Sequence, residues 1–198
     1  VSSTGRGTER QDDDFYETPA WAVRAVLKHL PRLAGRRILE PSAGRGAIVR
    51  ELIANGASPE MITAVEPNEE RAEMVRARGV QAVARPFESY GRPALGSFDL
   101  IIMNPPFSLA EQHIRLACER EWQGGPLHSQ GKVAALVRLA FLAEGKKRAD
   151  FRLTRPHDRV ELARRPAFIN GKTDSCAYAW GLWGEGCGGR FWTHEETT

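Results

Sequence analysis

Hydrophobic positions along the chain follow two spacings. From Trp21 to Leu30, the residues Trp21, Val23, Val26, Leu27 and Leu30 recur at helical spacing. Thr18 there is suited to the N-cap and Pro19 to the first helical position. Short β-branched and apolar runs follow at Arg37–Glu40, Met61–Val65, Val80–Ala84, Phe98–Met103 and Lys132–Leu136. Their length and composition predict buried strands. Residues 137–142 carry the last of these towards the end of the sheet. Helical patterns separate the runs: Ala47 to about Asn55 (closed by Gly56), Asn68–Arg78 and Leu109–Glu121. Strands alternating with helices predict an α/β protein built on a mostly parallel sheet. Arg159–Ala163 and Ala177–Trp183 are predicted as the last two strands, an antiparallel hairpin at the sheet edge around Asn170-Gly171. Trp180 and Trp183, three apart, face opposite sides of such a strand and suit core packing. No internal repeat is visible.

Composition narrows the class without naming it. The 198 residues, 41% hydrophobic and 27% charged, suit a soluble globular protein and are read as one domain over 15–198 behind a polar tail, Val1–Asp14. No separate target-recognition domain is expected. No apolar run reaches the length of a membrane span, so a membrane partner is not expected and a cytoplasmic location is. Cys118, Cys176 and Cys187 form no C-x-x-C pair, which suits a reducing compartment, and no metal site is expected. A net charge of +3 permits a polyanionic partner without requiring one. Lys146, Lys147 and Arg148 are the densest basic run, readable either as a solvated face or as contacts to nucleic-acid phosphates. A monomer is expected, with a dimer as the alternative.

Chemistry concentrates at Phe98–Phe107, FDLIIMNPPF. The run ends at Asn104-Pro105-Pro106, where two prolines remove donors and hold the chain extended. A rigid corner results at the carboxyl end of a strand, the edge of an open α/β sheet where ligands bind. A flat, amino-bearing group fits it: the Asn104 oxygen and the Pro105 carbonyl can accept two amino hydrogens while Phe107 stacks on the ring. The plainer reading is a strand ended by a Pro-Pro turn with Phe107 in the core.

A second constellation lies upstream. Arg37–Glu40 runs into Pro41-Ser42-Ala43-Gly44-Arg45-Gly46 and then a helix, the first strand–turn–helix unit of a nucleotide-binding fold. Glycines at 44 and 46 let backbone approach a ligand that side chains would block. Glu66 follows at the end of the next strand, twenty positions beyond Gly46, where a carboxylate can accept both ribose hydroxyls. Its alternative is a glutamate favoured by the dipole of the helix after it.

Together these residues resemble the class I, S-adenosylmethionine-dependent amino-methyltransferases. Asn104–Phe107 resembles their motif IV, LEPSAGRG their motif I, and Tyr16-Glu17-Thr18-Pro19 their motif X. The FYETP opening and the Trp-rich final strand are most similar to small phage- or prophage-type DNA adenine-N6 methyltransferases. The resemblance, over roughly Phe15 to Trp183, implies a Rossmann-like methyltransferase fold: a seven-stranded, mostly parallel sheet with helices on both faces and one antiparallel strand. It implies S-adenosyl-L-methionine as cofactor, held by Tyr16, Thr18, Glu40, Pro41, Ser42, Ala43, Gly44, Gly46, Glu66, Pro67, Phe87 and Asn104. Asn104, Pro105, Pro106 and Phe107 are its implied catalytic residues, and DNA its implied partner. Alternative acceptors are an RNA adenine, a cytosine N4 or a protein glutamine, and the alternative from another class is an inactive cofactor- or nucleic-acid-binding module. One departure stands out. The end of the third strand, which in the family carries an acid or amide that reads the cofactor's adenine, is Arg85-Pro86-Phe87-Glu88 here; Phe87 then becomes the stacking residue and Glu88 the substitute acid.

Overall fold

The computed structural model describes residues 17–90, 98–118, 127–143, 157–169, 172–173, 175–184 and 186–194. Strand and helix alternate through the first part of the chain. Helix α1 (Ala20–Leu27) precedes β1 (Ile38–Glu40), α2 (Ala47–Ala54), β2 (Ile62–Val65), α3 (Glu69–Arg76) and β3 (Gln81–Val83). Then come β4 (Phe98–Met103), α4 (Ala110–Cys118), β5 (Leu127–Arg138) and the short α5 (Leu139–Ala143). The remaining elements are strands: β6 (Asp158–Leu162), β7 (Ala167–Ile169), β8 (Lys172–Thr173), β9 (Tyr178–Gly184) and β10 (Phe191–His194).

Among the described residues eight strands form one sheet in the order β10-β6-β9-β5-β4-β1-β2-β3. Only β9 runs against its neighbours. The chain steps outward from β1 to β3, then returns to β4 on the other side of β1. Ligand crevices of open α/β sheets open at such a reversal, and Glu40, Glu66 and Asn104 all sit at or just beyond the carboxyl ends of strands flanking it.

Helices on both faces explain why β4 reads as an unbroken apolar run from Leu100 to Met103. Leu100 and Ile102 enter one buried cluster, Ile101 and Met103 the other, and all four are fully buried. Each such side chain contributes roughly 1.5–3 kcal/mol by leaving water. Trp180 and Trp183 divide between the same two clusters, on opposite faces as their spacing predicts. The Trp180 indole N–H donates to the Ala22 carbonyl at 2.7 Å, tying β9 to α1.

Three expectations need correction. Helix α1 is not capped by Thr18: Pro19 occupies the N-cap in extended conformation, with no side-chain cap bond, and its carbonyl accepts from the Ala22 and Val23 N–H groups. The Thr18 hydroxyl is instead engaged by Asn104, described below. The sheet has eight strands rather than seven, because the 191–194 segment pairs in parallel with β6. For the same reason the β6–β9 pair, although antiparallel, is not the sheet edge, and the two strands of a separate β7–β8 sheet lie between them in sequence.

Asp158 explains the added strand. The residue is 1% exposed, and its carboxylate accepts from the Gly188 and Arg190 backbone N–H groups, both at 2.9 Å, and from the Arg190 guanidinium at 2.7 Å. Burial alone would raise its pKa, but these donors hold it down at about 2. The staple fixes the loop that delivers β10 to β6. Asp158→Asn is expected to lower stability by about 1–3 kcal/mol in urea unfolding at neutral pH. A depressed carboxylate stabilises above its ordinary value near 3.8 and loses that contribution as pH falls through about 2. The gap between wild type and variant should therefore narrow in an acid series; a gap that persists at the acid end would remove charge from the explanation.

Candidate active site

Glu40 ends β1 and the chain turns at once through 41–46. Three of the turn's N–H groups are bonded within the protein. Ala43 N–H donates to the Val65 carbonyl at 3.0 Å, Gly44 N–H to Glu66 Oε2 at 2.8 Å, and Gly46 N–H to the Ala43 carbonyl at 2.8 Å. A phosphate-binding turn needs such N–H groups pointed at the ligand; here internal acceptors take them. Gly44 and Gly46 both have positive φ, 54° and 79°. Gly46 does not border the cleft described next. A Cβ on it would lie 3.1 Å from Arg78 Nε and 3.2 Å from Val75 Cγ2, so its missing side chain serves the close passage of α3 rather than ligand approach.

A cleft of about 350 Å³ opens over the turn, within the usual size range of small-molecule sites. Of the expected cofactor contacts, Thr18, Glu40, Pro41, Ser42, Ala43, Gly44, Glu66, Pro67, Phe87 and Asn104 line it. Tyr16 lies outside the described residues, as do Lys146, Lys147 and Arg148. The lining carries four carboxyl groups, Glu17, Glu40, Glu66 and Glu88, against the guanidinium groups of Arg45 and Arg71.

Two of those carboxyls are buried and differ in their partners. Glu66 is 4% exposed, and besides the Gly44 N–H it accepts from the Asn68 N–H at 3.1 Å, with Arg71 Nη1 at 3.7 Å. A carboxylate offers about four acceptor sites, so these bonds do not exhaust it. Glu40 is 1% exposed, and its Oε2 has no hydrogen-bond partner among the described residues. Burial pushes this carboxyl well above its usual range; a backbone hydrogen bond from Val49 opposes the shift and the neighbouring Glu66 adds to it. An orphaned acceptor in a buried acidic cleft is costly until a ligand donor reaches it.

Asn104 and Pro106 line the cleft on the far side of the turn. Asn104 Nδ2 donates to Thr18 Oγ1 at 3.0 Å across 86 positions of sequence, so the segment before α1 sets the rotation of this amide. Pro105 is buried and does not border the cleft. Phe107 also lies outside its lining, in an aromatic group with Tyr178 at the start of β9 and Phe168 on β7, ring centroids 6.0 and 6.5 Å away. The Arg138 guanidinium sits 4.7 Å over the Phe107 ring, and Arg164 sits 4.3 Å over Trp21. Arg138, Arg164 and Arg165 are exposed. None of Arg138, Phe168 and Tyr178 is recognisable as a site residue from sequence; the available signal was the turn region at Asn170-Gly171, which β7 and β8 flank.

At the end of β3, Phe87 is buried and meets the ring of His113 edge-on at 5.2 Å. His113, on α4 and 4% exposed, has Nε2 3.1 Å from Glu88 Oε1 and Nδ1 3.4 Å from Ser42 Oγ. Burial lowers its pKa, and the Glu88 carboxylate pulls the other way without reversing the shift. Sequence reasoning missed this residue. Its signal was a polar side chain on the core-facing stripe of α4, beside Ala110, Ile114 and Ala117. Among the described residues no three His, Cys, Asp or Glu side chains gather where they could hold a metal ion, and no helix is long and apolar enough to cross a membrane.

No protein-family model and no curated protein matches the sequence. Solved structures do. A protein from Vibrio vulnificus assigned as the modification subunit of a type I restriction enzyme superposes with a TM-score of 0.63 at 19% identity, over 95% of this chain and 48% of its own. A protein from Pyrococcus horikoshii assigned as an RNA methyltransferase gives 0.62 at 16% identity, over 92% of this chain and 93% of its own. The methyltransferase subunit of a type I restriction-modification system from Streptococcus thermophilus gives 0.58 at 15% identity, over 87% and 45%. The chain thus spans about half the length of the restriction-system subunits it resembles. At these identities the likeness establishes the fold, a Rossmann-like methyltransferase fold, and nothing finer.

Proposed function

We propose that the chain is an S-adenosyl-L-methionine-dependent N-methyltransferase that methylates the exocyclic N6 of adenine in DNA by direct in-line transfer. The observation that carries this reading is the adjacency of an acidic cleft, in which a buried Glu40 carboxyl oxygen has no partner among the described residues, to the Asn104-Pro105-Pro106 corner. A nucleotide with a phosphate chain would meet four carboxyl groups and a turn in which the Ala43, Gly44 and Gly46 N–H groups are already bonded. A ligand with an ammonium and a sulfonium meets those carboxyl groups favourably, and its ammonium favours the charged form of Glu40 that burial opposes.

When bound, the cofactor supplies a methyl group already activated on sulfur. The work of the chain is positioning and electrostatics. Glu40 takes the ammonium, Glu66 the ribose hydroxyls, and Phe87 lines the base. Asn104 and Pro105 form the corner beside the cleft, and of the two residues Asn104 alone borders it. The Asn104 oxygen and the Pro105 carbonyl accept the amino hydrogens of the acceptor. That draws the nitrogen lone pair out of the ring and turns it towards the donor cleft. Phe107 supplies the stacking face, with Phe168 and Tyr178 behind it, for a base taken out of its stack.

Charge supports a nucleic-acid acceptor over a protein one. The donor cleft is acidic, while the exposed Arg138 ends β5 and the exposed Arg164 and Arg165 follow β6, strand ends that share an edge with Asn104. RNA is the second acceptor class, favoured by the near full-length likeness to the Pyrococcus structure. Incubation with methyl-labelled cofactor and separate DNA, RNA and protein pools, followed by nucleoside analysis, decides the matter. Label is expected in DNA as the N6-methylated adenine nucleoside. Cofactor binding without label in any pool would leave a binding module instead.

A further inference from the structure

We propose that Arg138 is a specificity residue of the acceptor corner. Its guanidinium closes a face of the Phe107 ring until a phosphate draws it off, so the corner admits an adenine carried on a phosphodiester strand and disfavours the free nucleoside. This rests on the acceptor reading above, in which Phe107 stacks on the base, and it concerns a group that the transfer chemistry leaves unused.

Arg138 breaks the pattern of its strand. On β5 the residues Ala134, Leu136 and Arg138 share one face. The first two are fully buried, in the cluster that also holds Tyr178 and Trp180 and against which Phe107 packs. The third position pairs with Tyr178 and is an exposed arginine. Met103, the last residue of β4, is level with Ala135, so Arg138 stands beyond that level on the acceptor side of the sheet. The β5–β9 ladder fixes its backbone, and its guanidinium reaches 4.7 Å over the centre of the Phe107 ring.

A cation over a ring and a base stacked on that ring need the same face. Stacked aromatic centroids lie about 4.5–7 Å apart, the distance at which the guanidinium already stands, so the two exclude each other there. At an exposed site the cation–ring contact is weak, about a two- to fivefold factor in an equilibrium. A phosphate holds a guanidinium more strongly, through paired charge-assisted hydrogen bonds. A strand therefore offsets the opening of the face, and a nucleoside, which has no phosphate, does not. Arg164, 4.3 Å over Trp21, is a second guanidinium held on a ring, but Trp21 is not the stacking group of the corner. It serves as the control for charge.

The alternative is that Arg138 merely covers an apolar ring. The test is binding of deoxyadenosine by calorimetry, and of a fluorescent single-stranded DNA oligonucleotide by anisotropy across a salt series, both with S-adenosyl-L-homocysteine present. Arg138→Ala is expected to bind deoxyadenosine two- to fivefold more tightly, because the face is open, by about the cation–ring factor. The same variant should bind the oligonucleotide about tenfold or more weakly. Its slope of log affinity against log salt should fall by about 0.7, the share of one phosphate. Arg138→Gln, which keeps the stem and loses the charge, should behave as the alanine variant does. Arg164→Ala should leave deoxyadenosine binding unchanged. A nucleoside affinity that does not rise in Arg138→Ala overturns the proposal, as does an unchanged salt slope or an equal rise in Arg164→Ala. Wild type that binds S-adenosyl-L-homocysteine but neither acceptor would instead refute the DNA reading, and this inference with it.

Discussion

Asn104→Ala is expected to lower methyl transfer by on the order of 10²–10³-fold, the usual cost of removing one preorganised group aimed at the reacting centre. Cofactor affinity should change by only a few-fold, because the proposed contacts to ammonium, ribose and base come from Glu40, Glu66 and the Phe87–Glu88 turn. The loss should appear in kcat and kcat/KM alike, the signature of an interaction made chiefly in the transition state. Geometry supplies a finer test. The Asn104 amide is rotated by its bond to Thr18 Oγ1, so Thr18→Val should slow transfer by about tenfold while keeping the amide itself. Asn104→Asp should keep more activity than alanine, since the Thr18 hydroxyl can reverse the bond by donating to the carboxylate, whose oxygens still accept an amino hydrogen. Single-turnover assays with labelled cofactor measure all three. Wild-type transfer by Asn104→Ala would remove this residue from the chemistry.

How much of this was legible in the sequence depended on the range of the forces involved. The Phe98–Met103 run and the prolines after it act within a few residues, so the corner at Asn104 was readable. So was the glycine turn with Glu66, whose spacing is set by one strand–helix–strand unit. Thr18 shows where local rules mislead. A threonine before a proline is a good N-cap by propensity, yet its hydroxyl is drawn to Asn104, 86 positions away. Phe107 shows the same on the acceptor side, since its neighbours Arg138, Phe168 and Tyr178 arrive from other strands. Strand β10 follows a glycine-rich stretch with no periodicity to announce it, and depends on Asp158, some thirty positions earlier, to reach the sheet. Gly46 was read for a ligand, but its neighbours are Val75 and Arg78. His113 lay hidden because a polar residue on an apolar helix stripe is ordinarily a satisfied core histidine, and only the fold shows which groups satisfy it.

Glu66→Ala should act on binding before chemistry, and more broadly than a ribose contact alone would suggest. Hydrogen bonds to a charged acceptor contribute about 1.5–3 kcal/mol each, so losing two ribose hydroxyl contacts predicts roughly a 10²–10⁴-fold rise in cofactor Kd. The same carboxylate also accepts from the Gly44 and Asn68 N–H groups. Its removal leaves those donors without their acceptor, at the turn and at the start of α3. The variant should therefore melt lower as well as bind weakly. Glu66→Gln separates the two effects. Its one carbonyl oxygen can keep the Gly44 bond and hold the turn, yet it cannot also serve both ribose hydroxyls. Its melting temperature should lie near wild type while its Kd stays close to that of the alanine variant. Calorimetric titration with S-adenosyl-L-methionine beside thermal melts distinguishes the outcomes. Should both variants bind like wild type, Glu66 is a structural clasp for the glycine turn, and the ribose must be held by some other group.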